Sequence, residues 1–75
     1  MLNKKFFSER LKILRLSRNI SQESLAKALR KSKSAISMME SSQSSATADT
    51  LIALADYFDV SLDYLVGRSD NPERR

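Results

Sequence analysis

The sequence predicts a small all-α domain of five helices, and three observations carry that prediction. Apolar residues recur at helical spacing, most clearly Leu51, Leu54, Ala55 and Phe58 at i, i+3, i+4 and i+7. Ser21, Ser32, Thr47 and Ser61 each precede a periodic stretch, where a hydroxyl accepts from first-turn amides. The 75 residues include one glycine and one proline, too few for the turns of an all-β fold.

The first helix is expected over roughly residues 5–18, with Phe7, Leu11 and Leu14 on its inner face. Asn19 ends it, and Ile20 drops into the core. The second opens at Ser21, carries Glu23 at its positive end and turns Leu25, Ala26, Ala28 and Leu29 inward. The third runs over residues 33–40 behind Ser32, with Ile36 and Met39 inward. Only Arg30 and Lys31 separate these two helices, so the chain must turn sharply. Ser41-Ser42-Gln43-Ser44-Ser45 is a polar loop, too short for an interdomain linker. The fourth helix follows Thr47, and Asp59-Val60 breaks it. The fifth runs from Ser61 through Val66, with Gly67 where a helix-ending glycine belongs. Leu51, Leu54, Phe58, Val60, Leu62 and Leu65 are expected in the core. Asp56, Asp59 and Asp63 read as a solvated acidic surface rather than a metal site.

The length bounds the chain to one domain: an extension over 1–7, a domain over 8–67 and a disordered tail over 68–75. There is no cysteine and no histidine. That excludes disulfides and thiolate metal sites and removes the commonest general base. No enzyme motif is present, and no cofactor is implied. No apolar run reaches bilayer length, and Ser8-Glu9-Arg10 interrupts any signal-peptide core, so a cytoplasmic protein is expected.

The net charge is +4, unevenly spread. Residues 1–33 hold ten Lys/Arg and two Asp/Glu, a balance of +8. Residues 34–75 hold three and seven, a balance of −4. One face suited to a polyanion and another unsuited to it would produce this pattern.

Residues 20–40 therefore read as two short capped helices joined by a tight turn. The second of them leaves Lys33, Ser34, Ser37 and Met38 on its outer side, a form that fits the DNA major groove. The chain here resembles the lambda-repressor-like helix-turn-helix family of the Cro/C1 and Xre types. The pieces carrying the resemblance are RLKILR at 10–15, ISQESLA at 20–26, SKSAIS at 32–37 with Glu40, and TLIALADYFDVSLDYLVG at 50–67.

That resemblance implies a five-helix DNA-binding domain acting as a transcriptional regulator, with a repressor acting as a homodimer on a palindromic operator as the expected role. It implies base contacts by Gln22, Lys33, Ser34, Ser37 and Met38. It implies phosphate contacts at Ser42 and Gln43, and a structural ion pair between Arg15 and Glu40. Phosphate contacts at Ser21 and Ser32 are expected from the helix starts they cap, and at Arg30 and Lys31 from their charge. The dimer contact is expected at Asp63, Tyr64 and Val66. Three departures stand out. Arg30-Lys31 replaces a glycine and an aliphatic residue, which predicts a rebuilt turn. Met38-Met39 replaces a polar-aromatic pair. Ala46 replaces a proline in a loop without basic residues, which predicts a weak phosphate grip there. Phe6, Ile13 and Leu16 form a second apolar stripe on the first helix, where the family is usually polar. That stripe suggests a contact with a partner protein or a second protomer, and the first of these brings the alternative of an antitoxin-like or anti-regulator interaction module on the same fold.

Overall fold

A computed structural model describes residues 3–73, and it contains five helices and no strand among them. They are α1 (Lys4–Ser17), α2 (Gln22–Ala28), α3 (Lys33–Glu40), α4 (Ala48–Phe58) and α5 (Leu62–Leu65). Each starts on a side-chain cap. Asn3, Ser21, Ser32, Thr47 and Ser61 all hold extended backbone and accept hydrogen bonds from first-turn amides. The Asn3 cap starts α1 inside the expected extension, so Phe7 is already fully buried. Residues 1 and 2 of that extension lie outside the described residues.

Each helix also ends alike. A residue at positive φ follows the last turn: Asn19, Arg30, Ser42, Asp59 and Gly67, with φ of 55°, 57°, 64°, 55° and 84°. The amide of the next residue then reaches back five residues to a carbonyl of the helix. Ile20 N–H donates to Arg15 O, Lys31 to Ala26 O, Gln43 to Met38 O, Val60 to Ala55 O and Arg68 to Asp63 O, at 2.8–3.1 Å. The turn between α2 and α3 is thus not rebuilt. Arg30 adopts the left-handed conformation usual for glycine, and two hydrogen bonds (Arg30 N to Lys27 O, Lys31 N to Ala26 O) hold it there.

All five helices feed one core. Phe7, Leu11 and Leu14 from α1 meet Leu25, Ala26, Ile36, Met39, Leu54, Ala55, Phe58, Val60 and Leu65. α3 packs on both α1 and α2, and α5 packs on α1 and α4. Two expected inward residues are exposed instead. Ala28 lies at the outer edge of α2, and Leu62 is 43% exposed, because α5 is a single turn that directs Leu65 and, in part, Tyr64 to the core. Residues 68–73, expected within a disordered tail, carry defined contacts. Arg10 donates to Ser69 O and pairs with Asp70 at 2.8 Å, and Ser61 N–H donates to Pro72 O. The guanidinium of Arg10 also covers the Tyr64 ring at 4.2 Å. Residues 74 and 75 of the expected tail lie outside the described residues.

A largely buried ion pair ties α1 to α3. Arg15 Nε donates to Glu40 Oε2 at 2.6 Å and Nη2 to Oε1 at 3.0 Å, with side-chain exposures of 11% and 5%. The remaining guanidinium nitrogen donates to Ile20 O.

Two sets of substitutions test these devices by urea unfolding. Arg30→Gly should raise stability by about 0.5–1 kcal/mol by relieving the left-handed strain. Gly67→Ala should lower it by about 2 kcal/mol, because a Cβ there would sit 2.7 Å from Phe6 Cβ at an unfavourable φ. Glu40→Ala should cost about 3 kcal/mol by stranding Arg15, whereas the paired change Arg15→Met with Glu40→Leu should recover most of the loss. Equal losses in the single and paired variants would show that apolar packing cannot replace the pair.

Candidate nucleic-acid interface

The turn after α2 and the Ser32 cap set the start of α3, and Ile36, Met39 and Glu40 fix its rotation against the core. Helical geometry then decides what remains outside. Lys33, Ser34, Ser37 and Met38 are all exposed, Met38 by 44%. The structure brings these four expected residues together on the free side of one helix.

Beside them lies a groove of about 680 Å³ between the starts of α2 and α3. Ser21, Gln22, Lys33 and Ser37 line it, and Arg15 and Glu40 reach it from behind. Two helix N-termini open there, each with first-turn amides left over from the helical ladder. Lys12 of α1 also lines this groove. Sequence reasoning did not select it. The available signal was its spacing, three residues before Arg15 and so on a neighbouring edge of α1.

Gln22 is half-buried, and its Nε2 donates to Glu40 Oε1 at 3.2 Å. A carboxylate only accepts, so the amide end of Gln22 must face it. Ser21 and Ser32 each hold an amide, of Ser24 and Ala35, through their hydroxyls. Arg30 and Lys31 are exposed at the turn, and Lys31 borders a shallow hollow with Ser44 and Thr47.

The loop after α3 folds back on the end of that helix while staying largely exposed. The amides of Ser42, Gln43 and Ser44 donate to Met39 O, Met38 O and Met38 O. The Ser42 hydroxyl lies 2.6 Å from that of buried Ser8. Ser8 spends its one proton on Lys5 O, so Ser42 is the donor. Of the two loop residues expected at phosphate, Ser42 has its hydroxyl engaged with Ser8, while the Gln43 side chain is exposed.

Around α5, the expected dimer residues divide. Asp63 is exposed and Val66 half-buried, but Tyr64 is partly buried beneath Arg10. Ile52 and Leu62, exposed by 51% and 43%, supply the apolar surface there, and sequence reasoning missed both in that role.

Comparison with known proteins agrees with this architecture. The Helix-turn-helix family model HTH_3 matches residues 11–65. An HTH-type transcriptional regulator of Bacillus subtilis, YobD, is 33% identical over 67 residues. The match takes in 89% of this chain and 60% of that protein, so the chain spans less than two thirds of its relative. Among solved structures, the DNA-binding domain of the P22 c2 repressor superposes with a TM-score of 0.76 at 33% identity, over 85% of this chain and 84% of that one. The restriction-modification controller protein C.AhdI of Aeromonas hydrophila superposes equally well, 0.76 at 27% identity, over 83% and 94%. A transcriptional regulator from Listeria innocua gives 0.78 at 30% identity, over 81% and 57%. With its two short helices meeting at the Arg30 turn and its third helix held outward by Arg15 and Glu40, the chain belongs to the Cro/C1-type helix-turn-helix family of transcriptional regulators.

Proposed function

We propose that this protein binds double-stranded DNA sequence-specifically and acts in the cytoplasm as a repressor, as a dimer on a palindromic operator. One observation carries the reading: α3 is held by its inner side and offers Lys33, Ser34, Ser37 and Met38 from its outer side. An α-helix presented in this way fits the width of the major groove. Lys33 donates to guanine O6 or N7. The serine hydroxyls pair with donors or acceptors, and Met38 packs on a thymine methyl. Gln22 presents its carbonyl end to the first base, because Glu40 holds the other end.

Phosphates are met by Arg30, Lys31, Lys12 and the Gln43 side chain, with the N-termini capped by Ser21 and Ser32 contributing amides. Ser42 acts on this contact through the loop it anchors. Two copies related by a two-fold axis place their α3 helices about 34 Å apart, one helical turn of DNA. Asp63, Tyr64 and Val66 then lie at or beside the dimer contact. The names of the relatives support this reading, since they are a repressor, a controller protein and transcriptional regulators.

A second reading, a protein-interaction module of antitoxin-like or anti-regulator type, draws on the exposed Phe6, Ile13 and Leu16 and on the loop after α3, whose amides are drawn back to that helix.

Selection of sites from a random duplex pool, at low and near-physiological salt, separates the two. A palindrome should be enriched, its affinity falling linearly in log-log salt with a slope near −0.9 per phosphate contacted. Lys33→Ala should relax one position of the site and cost about 1–3 kcal/mol. Salt-sensitive binding with no enriched sequence would transfer the weight to the interaction module.

A further inference from the structure

Two methionines stand side by side on α3 and meet opposite surroundings. Met39 is 4% exposed in the core, whereas Met38 is 44% exposed on the side that carries Lys33, Ser34 and Ser37. The core explains Met39. It does not explain Met38, a side chain that offers a base no strong hydrogen bond on a face otherwise rich in them. Its backbone is firmly held. The Met38 carbonyl accepts from the Gln43 amide at 2.9 Å, the Ser44 amide at 3.3 Å and the Ser41 hydroxyl at 3.2 Å. The thioether therefore leaves a fixed point of α3 into solvent.

The rest of the composition singles this sulfur out. The chain has no cysteine, histidine or tryptophan, and three methionines in all. With no thiol to compete, exposure decides which sulfur an oxidant reaches, and Met39 is shielded by the core. Hydrogen peroxide oxidises a thioether in a balanced two-electron step. A sulfur lone pair attacks one peroxide oxygen, an S–O bond forms and the O–O bond breaks. The departing hydroxide takes the proton from the transferred oxygen and leaves as water. Sulfur gives up two electrons and the peroxide gains them. The sulfoxide is polar, with an oxygen that accepts hydrogen bonds. Against a thymine methyl that oxygen is stranded without a partner, and beside guanine N7 or a phosphate it is repelled.

We propose that Met38 is a reversible oxidation site on the DNA-reading face, and that hydroperoxides weaken DNA binding by converting it to the sulfoxide. The inference rests on the DNA-binding reading above. DNA seated on α3 covers the thioether, so the free protein is the form that is oxidised. Methionine sulfoxide reductases reverse the change.

Treatment of the 75-residue chain with hydrogen peroxide, followed by titration of the duplex enriched by site selection, tests it. Peptide fragmentation should locate the added oxygen on Met38 well before Met39. Affinity should fall about tenfold, the scale of one contact replaced by an unpaired polar group, with the helical circular dichroism spectrum retained. Sulfoxide reductase should restore it. Met38→Leu, whatever its own starting affinity, should bind equally before and after peroxide, and Met39→Leu should remain sensitive. Duplex bound beforehand should slow oxidation of Met38. An oxidised Met38 with unchanged affinity, peroxide sensitivity that persists in Met38→Leu, or a loss that follows oxidation of Met1 or Met39 overturns the proposal. So does equal oxidation of free and DNA-bound protein, which would place Met38 outside the contact. Failure of the underlying reading looks different: the untreated protein then enriches no sequence, and the switch falls with it.

Discussion

The Arg15–Glu40 pair is the constraint on which the placement of α3 depends. An eight-residue helix anchored by two apolar side chains, Ile36 and Met39, could rotate or slide against its neighbours at small cost. A bidentate guanidinium–carboxylate contact has a narrow geometry, and a mostly buried one cannot be exchanged for water. Arg15 adds a bond to Ile20 O, and Glu40 adds one from Gln22. A single charged pair thus joins the end of α1, the first turn, the start of α2 and the end of α3. Such pairs contribute more to a specified arrangement than to net stability. Here the specified arrangement is the angle at which Lys33, Ser34, Ser37 and Met38 leave the surface.

The remaining architecture solves the problem of short helices. Helices of four to fourteen residues leave a large share of their amides and carbonyls outside the ladder. This chain meets that demand at both ends of every helix, with an oxygen-bearing side chain at each start and a left-handed reversal at each finish. Four of the five reversals use residues other than glycine. Each stores some backbone strain, held by two hydrogen bonds and by the packing of the residue that follows. At Arg30 the strained residue is also a cation at the tip of the turn between the two helices.

The same economy shapes the candidate interface. Reversal at Ser42 draws the amides of Ser42, Gln43 and Ser44 toward the end of α3, so these three are committed within the protein. Donors on this face come from the helix starts and from long basic side chains. Lys12 joins them from α1, because the ion pair holds α1 beside the groove. Of the acidic residues in the −4 half, Asp49 and Asp56 lie on α4 and Asp63 on α5, while Glu40, on α3, is neutralised by Arg15.

The sequence by itself determined the number of helices, four of the five caps, the inner faces of α1, α3 and α4, and the four residues exposed on α3. These depend on contacts within about four residues, which spacing and residue type reveal directly. The Arg15–Glu40 pair was legible through family resemblance, since nothing local links residues 25 apart. Tertiary structure alone decided the rest. It kept the tight turn at Arg30, withdrew Ser42 into a bond with Ser8 34 residues away, and placed Tyr64 beneath Arg10. It drew residues 69–72 onto the domain and left Ala28 and Leu62 in solvent. In each case the deciding partner is remote in sequence, and only the packing of the whole core brings the two groups together.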